Sequence, residues 1–493
     1  MSRPPDRHMS PRALERLLGG WHRTGPAYTA LADAVRAALL AGSLPLSTRL
    51  PSERELAVVL GLSRTTTSAA YQLLRDEGFL VSRRGSGTIT TLPPSDLSAP
   101  GGATTGLPRA YPGFSRTPSD EIADLSLAAP PAPPSLHAGY LAALDALPRF
   151  LAGRGYEPMG VDVLREAVAR RYRERGVPTT RDQILVTGGA QSALHLLLDA
   201  LVGPGDRVVV EHPTYPHAIT AIRAVGARPV PVPVGPDGTD LDLLESTIRQ
   251  VSPRLVYLIP DYQNPTGTSL SDAGRARIRE MAVRHRTVII GDEALSDLTL
   301  DGAAPTPFAG GGTESGVVVS VGSASKAFWG GLRVGWMRAH PDLITRLSLT
   351  RAHVDLGTAV LEQLVTAHLL DRHDEILPER RSMLRERRDQ VLALLAVQLP
   401  EWTVARPAGG LFLWADLGVP VSSALTALAL RHGARLIPGP AFGVDGSFER
   451  FLRVPFTETP EVLTRGIRAV SASWSVLDPT ATPATAYPTR AFV

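Results

Sequence analysis

The 493-residue sequence contains no cysteine. This absence excludes disulfide bonds and any metal site with cysteine ligands. No stretch approaches the roughly 20 consecutive apolar residues that a membrane helix requires, and the charged N-terminus lacks the apolar segment of a secretory signal peptide. We therefore expect a soluble cytoplasmic protein without a membrane span.

Lysine is almost absent as well. The chain has 51 Lys and Arg residues, of which Lys326, in "VGSASKAFWGGLRVGW", is the only lysine. One explanation is an arginine-biased coding style that left a single lysine on a solvated face. The other is covalent chemistry, because a desolvated amine can lose its proton and attack a carbonyl, whereas a guanidinium stays protonated. The count alone leaves both explanations open.

The positive charge is concentrated at one end of the chain. Residues 1–92 hold twelve Arg against seven Asp and Glu, a charge of +5, so the other 401 residues carry −2 of the net +3. A small basic piece joined to a large neutral one suggests nucleic-acid binding by the first. Composition predicts a flexible N-terminus (1–20), a DNA-binding domain (21–92), a Pro- and Gly-rich linker (93–124), a large domain (125–475) and a disordered tail (476–493).

The basic piece contains two closely spaced helices. Ser52 and Glu55 form a capping-box pattern at the start of the first helix, and Gly61 is placed to end it. Ser63 then caps a second helix only two residues later. Such a short turn predicts a helix-turn-helix, whose second helix would present Arg64 to DNA.

The stretch "FLVSRRGSGTIT" predicts a β-hairpin whose tip carries Arg83, Arg84 and Gly85. An ordinary helical hairpin with solvated arginines is the alternative, but this basic wing and the local charge favour DNA binding. Leu50 to Gly78 closely resembles the winged helix of GntR-family regulators. The resemblance and the basic wing together assign DNA contacts to Arg54, Ser63, Arg64, Thr65, Thr66, Arg83, Arg84 and Gly85.

After the linker, short apolar runs alternate with helical segments. "DQILVTGGAQSALHLLLDALV", "RLVYLIPDYQNPTG" and "TVIIGDEALSD" each place a polar loop after an apolar strand. This pattern predicts a mainly parallel α/β sheet, in which ligands bind at the carboxyl ends of the strands. That edge would collect Gly189, Tyr215, Asn264, Asp292 and Lys326.

The residues around that edge match the needs of imine chemistry on pyridoxal phosphate. Backbone N–H groups of Gly189, Ala190 and Gln191 at a helix start form a phosphate site, although many strand–helix loops contain a glycine. Hydroxyl groups of Ser323 and Ser325 flank Lys326, and Arg333 can grip the same phosphate.

Four further residues supply the remaining contacts, and each has a commoner structural role. Asp292 would keep the pyridine nitrogen protonated, or would cap a helix. Asn264 would bond the ring hydroxyl, or would serve a turn before proline. Tyr215 would stack on the ring, or would pack in the core. Arg453 would bind a substrate carboxylate, or would form a surface ion pair.

Taken together, the order of these motifs over residues 125–475 resembles the fold-type I aminotransferases. This resemblance implies an α/β pyridoxal 5'-phosphate-dependent transferase fold with a smaller C-terminal α+β subdomain at about 380–475. It implies that Lys326 holds the cofactor as an internal aldimine. It also implies a homodimer in which Tyr156 of "GRGYEPMG" reaches the partner subunit's phosphate.

A winged helix joined to such a domain resembles the MocR subfamily of transcriptional regulators. The resemblance implies a dimer that binds a double-stranded DNA operator and senses pyridoxal 5'-phosphate or an amino compound through an aldimine at Lys326. A working aminotransferase and a non-catalytic scaffold are the alternatives. Two residues depart from the aminotransferase pattern: Ala294 and Leu295 replace a tyrosine that donates to the ring hydroxyl. His217 stands where some relatives have an effector-binding arginine.

Overall fold

The computed structural model describes residues 7–19, 26–40, 44, 48–83, 87–91, 122–310 and 317–477. An N-terminal winged helix precedes a large α/β domain whose last part forms a smaller subdomain. The fold class expected from the sequence is confirmed. None of the helices in these described ranges is long and apolar enough to cross a membrane.

The described residues of the N-terminal domain form four helices and a four-stranded sheet in the order β1-β2-β4-β3. Its elements are β1 (Arg7–His8), α1 (Pro11–Leu18), α2 (Ala27–Leu40), β2 (Thr48–Arg49), α3 (Glu53–Leu60), α4 (Arg64–Asp76), β3 (Leu80–Arg83) and β4 (Gly87–Thr90). Leu31, Leu56 and Tyr71 are fully buried between the helices. The Tyr71 hydroxyl donates to the Pro51 carbonyl at 3.0 Å, which fixes the start of α3 against α4.

The N-terminal segment differs from the expectation that residues 1–20 are flexible. Residues 7–19 belong to the winged-helix domain, because β1 pairs in parallel with β2 and α1 packs on the same core. Leu14 and Leu18 of α1 are buried, and Ser10 accepts a hydrogen bond from the Ala13 N–H as a helix cap. An eight-residue helix is marginal alone, so tertiary burial of these two leucines is what holds it.

The predicted start and end of α3 and the predicted start of α4 are confirmed by their caps. Ser52 and Glu55 form a reciprocal capping box, and Gly61 adopts the left-handed conformation at φ 65° that ends α3. The Ser63 hydroxyl accepts from the Thr66 N–H at 3.0 Å at the start of α4. The turn between the helices is therefore set by local hydrogen bonds that these residue types favour.

The large domain is built on an eight-stranded sheet covered by helices. Its elements are β5 (Ala123–Asp124), α5 (Ser135–Ala146), α6 (Pro148–Leu151), α7 (Asp162–Glu174), β6 (Ile184–Thr187), α8 (Ala190–Leu201), β7 (Arg207–His212), α9 (Pro216–Ala224), β8 (Arg228–Gly235), β9 (Gly238–Thr239), α10 (Leu241–Val251), β10 (Leu255–Leu258), α11 (Asp272–His285), β11 (Val288–Asp292), β12 (Val318–Ser323), α12 (Ala324–Ala327), β13 (Gly335–Arg338), α13 (Pro341–Thr350) and α14 (Val360–Asp371).

The strand order of this sheet is β6-β13-β12-β11-β10-β7-β8-β9. Neighbouring strands from β12 to β8 run parallel, whereas β13 is antiparallel to both of its neighbours, which leaves β6 parallel to the others. The carboxyl ends of β6, β7, β10, β11 and β12 consequently lie at one edge. This mainly parallel sheet is the architecture that the sequence predicts.

The smaller subdomain follows α14. Its elements are α15 (His373–Gln398), β14 (Thr403–Val404), β15 (Phe412–Asp416), α16 (Ser422–Arg431), β16 (Ala434–Arg435), β17 (Ile437–Pro438), β18 (Phe451–Pro455) and α17 (Pro460–Val476). Strands β14, β15, β18 and β17 form a sheet, and β16 pairs in parallel with β5 from the start of the large domain. The chain that leaves the linker is thus tied directly to the subdomain.

Candidate functional site

Lys326 lies in the short helix α12, immediately after β12, at the carboxyl edge of the sheet. Its Nζ donates to the Ala128 carbonyl oxygen at 2.8 Å. Burial lowers the pKa of Lys326 to about 8; Arg453 and Arg333 act in the same direction, and Asp292 opposes them. Because burial and the charges of Arg453 and Arg333 favour the neutral amine, Lys326 is a far better nucleophile at neutral pH than a surface lysine.

Asp292 ends β11 and lies on the same edge. Its Oδ1 accepts from the Ala294 N–H at 3.0 Å, and its Oδ2 accepts from the Tyr257 hydroxyl at 2.7 Å. Burial raises the pKa of Asp292, while these hydrogen bonds and Lys326 partly offset that rise. The carboxylate therefore holds a local turn and also offers negative charge inside the site.

Tyr257 was missed by the sequence reasoning. It sits in the middle of the apolar strand β10, one strand away from Asp292, and it is 1% exposed. A tyrosine buried in a parallel strand needs a partner for its hydroxyl. This need is the sequence signal that could have pointed to Tyr257. The partner itself follows from the pairing of β10 with β11, which only the fold provides.

The sequence predicts a phosphate site at the loop between β6 and α8. Gly189 has φ 101°, a conformation that favours glycine, and α8 begins at Ala190. A Cβ added at Gly189 would lie 2.8 Å from Arg333 Nη2, and one added at Gly335 would lie 2.6 Å from the Gly189 carbonyl carbon. Arg333 donates from the same Nη2 to the Gly188 carbonyl at 2.8 Å. Glycines thus let Arg333 and the N–H groups of the loop come together.

Polar side chains beside this cradle hold unused hydrogen-bonding capacity. Ser323 Oγ accepts from the Ser325 N–H at 3.1 Å. The Ser325 hydroxyl and the Gln191 Oε1 atom are buried without a hydrogen-bond partner among the described residues. Buried polar groups left unpaired are costly, so such groups point to a polar ligand at this place. The Ser325 hydroxyl can donate to an oxygen of a phosphate, whereas Gln191 Oε1 is an acceptor and needs a donor from the ligand.

Arg453 lies on β18 and is 6% exposed, so it does not form the surface ion pair considered as an alternative. Its Nη2 donates to the Ser126 carbonyl at 2.6 Å, and its Nη1 lies 3.4 Å from Asn264 Oδ1. Its Nε has no partner in the described chain. Burial lowers the pKa of Arg453 to about 10. A buried guanidinium with spare donors is a suitable carboxylate site.

Tyr215 precedes α9 and faces the same group of charges. Burial raises the pKa of Tyr215 to about 12, with Asp292 adding to the rise and Arg453 opposing it. Its ring meets that of His217 edge-on, with centroids 5.1 Å apart. The pKa of His217 is lowered by burial and by its neighbours Arg453 and Lys326. His217 therefore lies in the electrostatic surroundings of the lysine.

Two predicted features stand apart from this group. Tyr156 is 67% exposed, and no hydrogen bond or ring contact joins it to the other site residues within the described chain. Leu295, which replaces the expected tyrosine, is 6% exposed and packs with the core of the smaller subdomain. The Ala294 N–H is committed to Asp292. Neither Ala294 nor Leu295 has a side-chain donor for a ring hydroxyl.

The predicted DNA-binding residues gather at the start of α4. Arg54, Arg64 and Thr65 are exposed on adjoining turns of α3 and α4. Thr66 is partly exposed, and its hydroxyl lies 2.8 Å from that of Ser63. Arg83 ends β3, whereas Arg84 and Gly85 lie outside the described residues. The described part thus presents one exposed helix start beside a β-hairpin.

Both halves match known families. Residues 27–89 match the bacterial regulatory proteins of the gntR family, and residues 142–470 match aminotransferase class I and II. The chain is 32% identical to the probable rhizopine catabolism regulatory protein MocR of Rhizobium meliloti over 400 residues, which cover 76% of this chain and 78% of that protein. The chain belongs to the MocR subfamily. It is a GntR-type DNA-binding regulator fused to an aminotransferase domain.

Other proteins similar to this MocR-type chain include HTH-type regulators and aminotransferases. An uncharacterized HTH-type regulator, YisV of Bacillus subtilis, is 28% identical over 88% of this chain and 92% of its own. Among solved structures, the α-aminoadipate aminotransferase LysN of Thermus thermophilus, complexed with N-(5'-phosphopyridoxyl)-L-leucine, is 30% identical with a TM-score of 0.66 and covers 72% of this chain and 93% of its own. The kynurenine aminotransferase of Pyrococcus horikoshii, in complex with PMP, has a TM-score of 0.67 at 26% identity, over 73% of this chain and 92% of its own.

Proposed function

We propose that this regulator senses pyridoxal 5'-phosphate, or an amino compound together with it, through Lys326. The observation that carries the proposal is the surroundings of that amine. The only lysine of the chain is partly buried and has a pKa of about 8, which burial and the charge of Arg453 lower and the carboxylate of Asp292 raises. An exposed helix start at Arg64 belongs to the same chain, so a small-molecule site and a DNA-binding surface are covalently linked.

The cofactor of this chain is pyridoxal 5'-phosphate. When bound, it supplies an aldehyde that condenses with primary amines and a ring that withdraws electrons. Lys326 offers the amine, and the loop at Gly189 with Arg333 offers donors for the phosphate. Asp292 places negative charge where it would keep a ring nitrogen protonated. Tyr215 lies at the same edge as a candidate cover for the ring.

Arg453 gives this site its selectivity for an acid. Its Nε donor is buried and unpartnered, and Asn264 lies beside its Nη1 at a distance too long for a strong hydrogen bond. A carboxylate is the group that best satisfies a fork of guanidinium donors. We infer that the amino compound carries a carboxylate, and that His217 helps to choose its side chain.

The assembly belongs to the same proposal. Tyr156 is exposed on the loop before α7, as expected for a residue that completes the phosphate site of the partner subunit in a homodimer. A homodimer presents two winged helices and therefore selects paired half-sites on double-stranded DNA. A regulator of this kind acts where its operator is, and so we place it in the cytoplasm.

A working aminotransferase is the second candidate. The aromatic-amino-acid aminotransferase 1 of Thermococcus litoralis is 32% identical over 328 residues, and in this chain Asp292, Lys326 and Arg453 stand where the aminotransferase resemblance expects them. Leu295 argues against efficient turnover, because the ring hydroxyl loses a side-chain donor there. Keto-acid-dependent turnover at roughly 1 per second or faster would favour this second function.

Footprinting on the DNA upstream of its own gene tests the proposal. The full-length protein is compared in its cofactor-free form and after loading with pyridoxal 5'-phosphate. We expect protection that changes on loading. An Arg64→Ala variant is expected to lose about tenfold or more in affinity and to lower the salt dependence by about one phosphate contact. Arg465→Ala, which removes an exposed arginine from α17, controls for net charge. Equal footprints for the wild type and Arg64→Ala would contradict DNA binding through α4.

A further inference from the structure

Arg453 is buried without an acidic partner. The three most deeply buried arginines of the described chain, Arg275, Arg351 and Arg388, each form an ion pair with an aspartate at 2.5–2.6 Å. Arg380 has no such pair, but all three of its nitrogens donate to backbone carbonyls. No ion pair joins Arg453 to an Asp or Glu of the described residues. Because an unpaired buried charge is costly, its surroundings need another means of stabilising it.

Two phenylalanine rings contact the Arg453 guanidinium instead. Its Cζ lies over the ring of Phe442 at 5.0 Å from the centroid and over the ring of Phe412 at 5.5 Å. Both phenylalanines are buried. The negative face of an aromatic ring attracts a cation, but a ring carries no formal charge. The two rings therefore stabilise the guanidinium and leave its positive charge uncompensated.

The two rings come from different segments, and each is held by contacts of its own. Phe412 lies on β15, which pairs with β18, the strand that carries Arg453. The Phe442 ring meets that of Trp414 edge-on, with centroids 5.5 Å apart. The Phe442 carbonyl accepts from the Thr214 N–H at 2.9 Å. Phe442 is therefore tied both to the smaller subdomain and to the loop before α9 of the large domain.

Several N–H groups of Arg453 remain available to a ligand. Nη2 donates to the Ser126 carbonyl at 2.6 Å, and Nη1 lies 3.4 Å from Asn264 Oδ1. Each of these nitrogens carries a second N–H, and the buried Nε has no acceptor among the described residues. A carboxylate can therefore bind Arg453 while the contact with Ser126 persists.

We propose that Phe412 and Phe442 form an aromatic clamp, which positions Arg453 as a buried charge without a counter-ion and so sets the preference of the site for a ligand with a carboxylate. This proposal rests on the proposed function, which assigns the carboxylate to Arg453, and it names the residues that make the site selective. An acidic side chain in place of the rings would neutralise the guanidinium and repel the carboxylate of the ligand. Arg453 binds the ligand, and the two phenylalanines are positioning residues.

Equilibrium titration of the cofactor-free, full-length protein tests the clamp with a matched pair of probes. Pyridoxamine 5'-phosphate and N-(5'-phosphopyridoxyl)glycine share the ring and the phosphate, but only the second carries a carboxylate. The preference is the ratio of their dissociation constants. We expect the wild type to prefer the glycine probe and Phe442→Leu to lose about tenfold of that preference, because leucine offers no π face to the cation. Phe412→Leu should lose preference in the same direction.

Phe456→Leu is the matched control, because Phe456 is also a fully buried phenylalanine of the smaller subdomain but its ring does not lie over the Arg453 guanidinium. It should keep the wild-type preference. The pH midpoint of the reaction between Lys326 and pyridoxal 5'-phosphate gives a second readout, since Arg453 lowers the pKa of that amine. Release of the guanidinium in Phe442→Leu should raise the midpoint by up to about one pH unit. Phe456→Leu should leave it unchanged.

The outcomes separate the clamp from the proposed function. If the wild type prefers the glycine probe, and Phe442→Leu and Phe412→Leu keep both that preference and the wild-type midpoint, the clamp is wrong and the proposed function stands. If the wild type binds both probes equally, Arg453 does not bind the carboxylate, and the proposed selectivity fails together with the clamp. If Phe442→Leu binds neither probe, the preference of Phe412→Leu decides in the same way.

Discussion

The pH dependence of cofactor capture provides the sharpest test of the site. The structure lowers the pKa of Lys326 from 10.5 to about 8, first by burial and next by the positive charge of Arg453. At pH 7 the neutral, nucleophilic fraction of this amine is then about 300-fold larger than for an ordinary lysine. We expect the capture rate to rise about tenfold per pH unit below pH 8 and to level off above it.

Replacing Arg453 changes this profile in a defined direction. Arg453→Met removes a positive charge that disfavours the protonated amine, so the midpoint should rise by about one pH unit. Arg338→Met is the matched control, because Arg338 is also a buried arginine of this domain but does not contribute to the pKa of Lys326. Stopped-flow absorbance on mixing with pyridoxal 5'-phosphate gives the rate, and borohydride trapping with mass spectrometry identifies the modified residue.

The cofactor's own ionisations are removed by measuring the same reaction with Nα-acetyl-lysine. After that correction, a wild-type midpoint near 10 would refute the assigned environment of Lys326. An identical midpoint in Arg453→Met would refute the role of Arg453. A linked effect on stability follows, because the unfolded chain binds the additional proton between about pH 8 and 10.5. Stability of the cofactor-free protein therefore gains a contribution that rises with pH across that window.

Two further substitutions test the cradle and the core. Gly335→Ala places a Cβ 2.6 Å from the Gly189 carbonyl carbon and should weaken binding of pyridoxal 5'-phosphate by about tenfold or more, whereas Gly330→Ala meets no atom within 4 Å and should bind it normally in equilibrium titrations. Retained affinity in Gly335→Ala would show that this close approach is unimportant. Arg275→Leu leaves Asp261, which is fully buried, without its ion-pair partner. We expect a loss of about 3–5 kcal/mol in urea unfolding; a loss below about 1 kcal/mol would mean that Asp261 takes up a proton at little cost.

Local sequence patterns were sufficient for much of the architecture. The caps at Ser52 and Ser63 and the glycine at Gly61 define α3 and α4, because each acts on backbone groups a few residues away. The apolar runs followed by polar loops predicted a mainly parallel sheet, since strands buried on both faces are continuously apolar. The sheet then brings Asp292 and Lys326 to the same edge.

Contacts between residues distant in the sequence could not be predicted in this way. Tyr257 reaches Asp292 only because β10 pairs with β11. Residues 1–20 were expected to be flexible, yet Leu14 is buried where α1 packs on the winged-helix core.

The sequence by itself determined that Lys326 is unique and that it follows a buried strand. Tertiary structure decided what that amine meets. Arg453, which lowers the pKa of Lys326, lies 127 positions further along the chain. Ala128, whose carbonyl accepts from the Lys326 Nζ, lies 198 positions before the lysine. A local pattern fixes the residue type and its position on an element, but the electric field and the hydrogen-bond partner at that position depend on which other elements pack there.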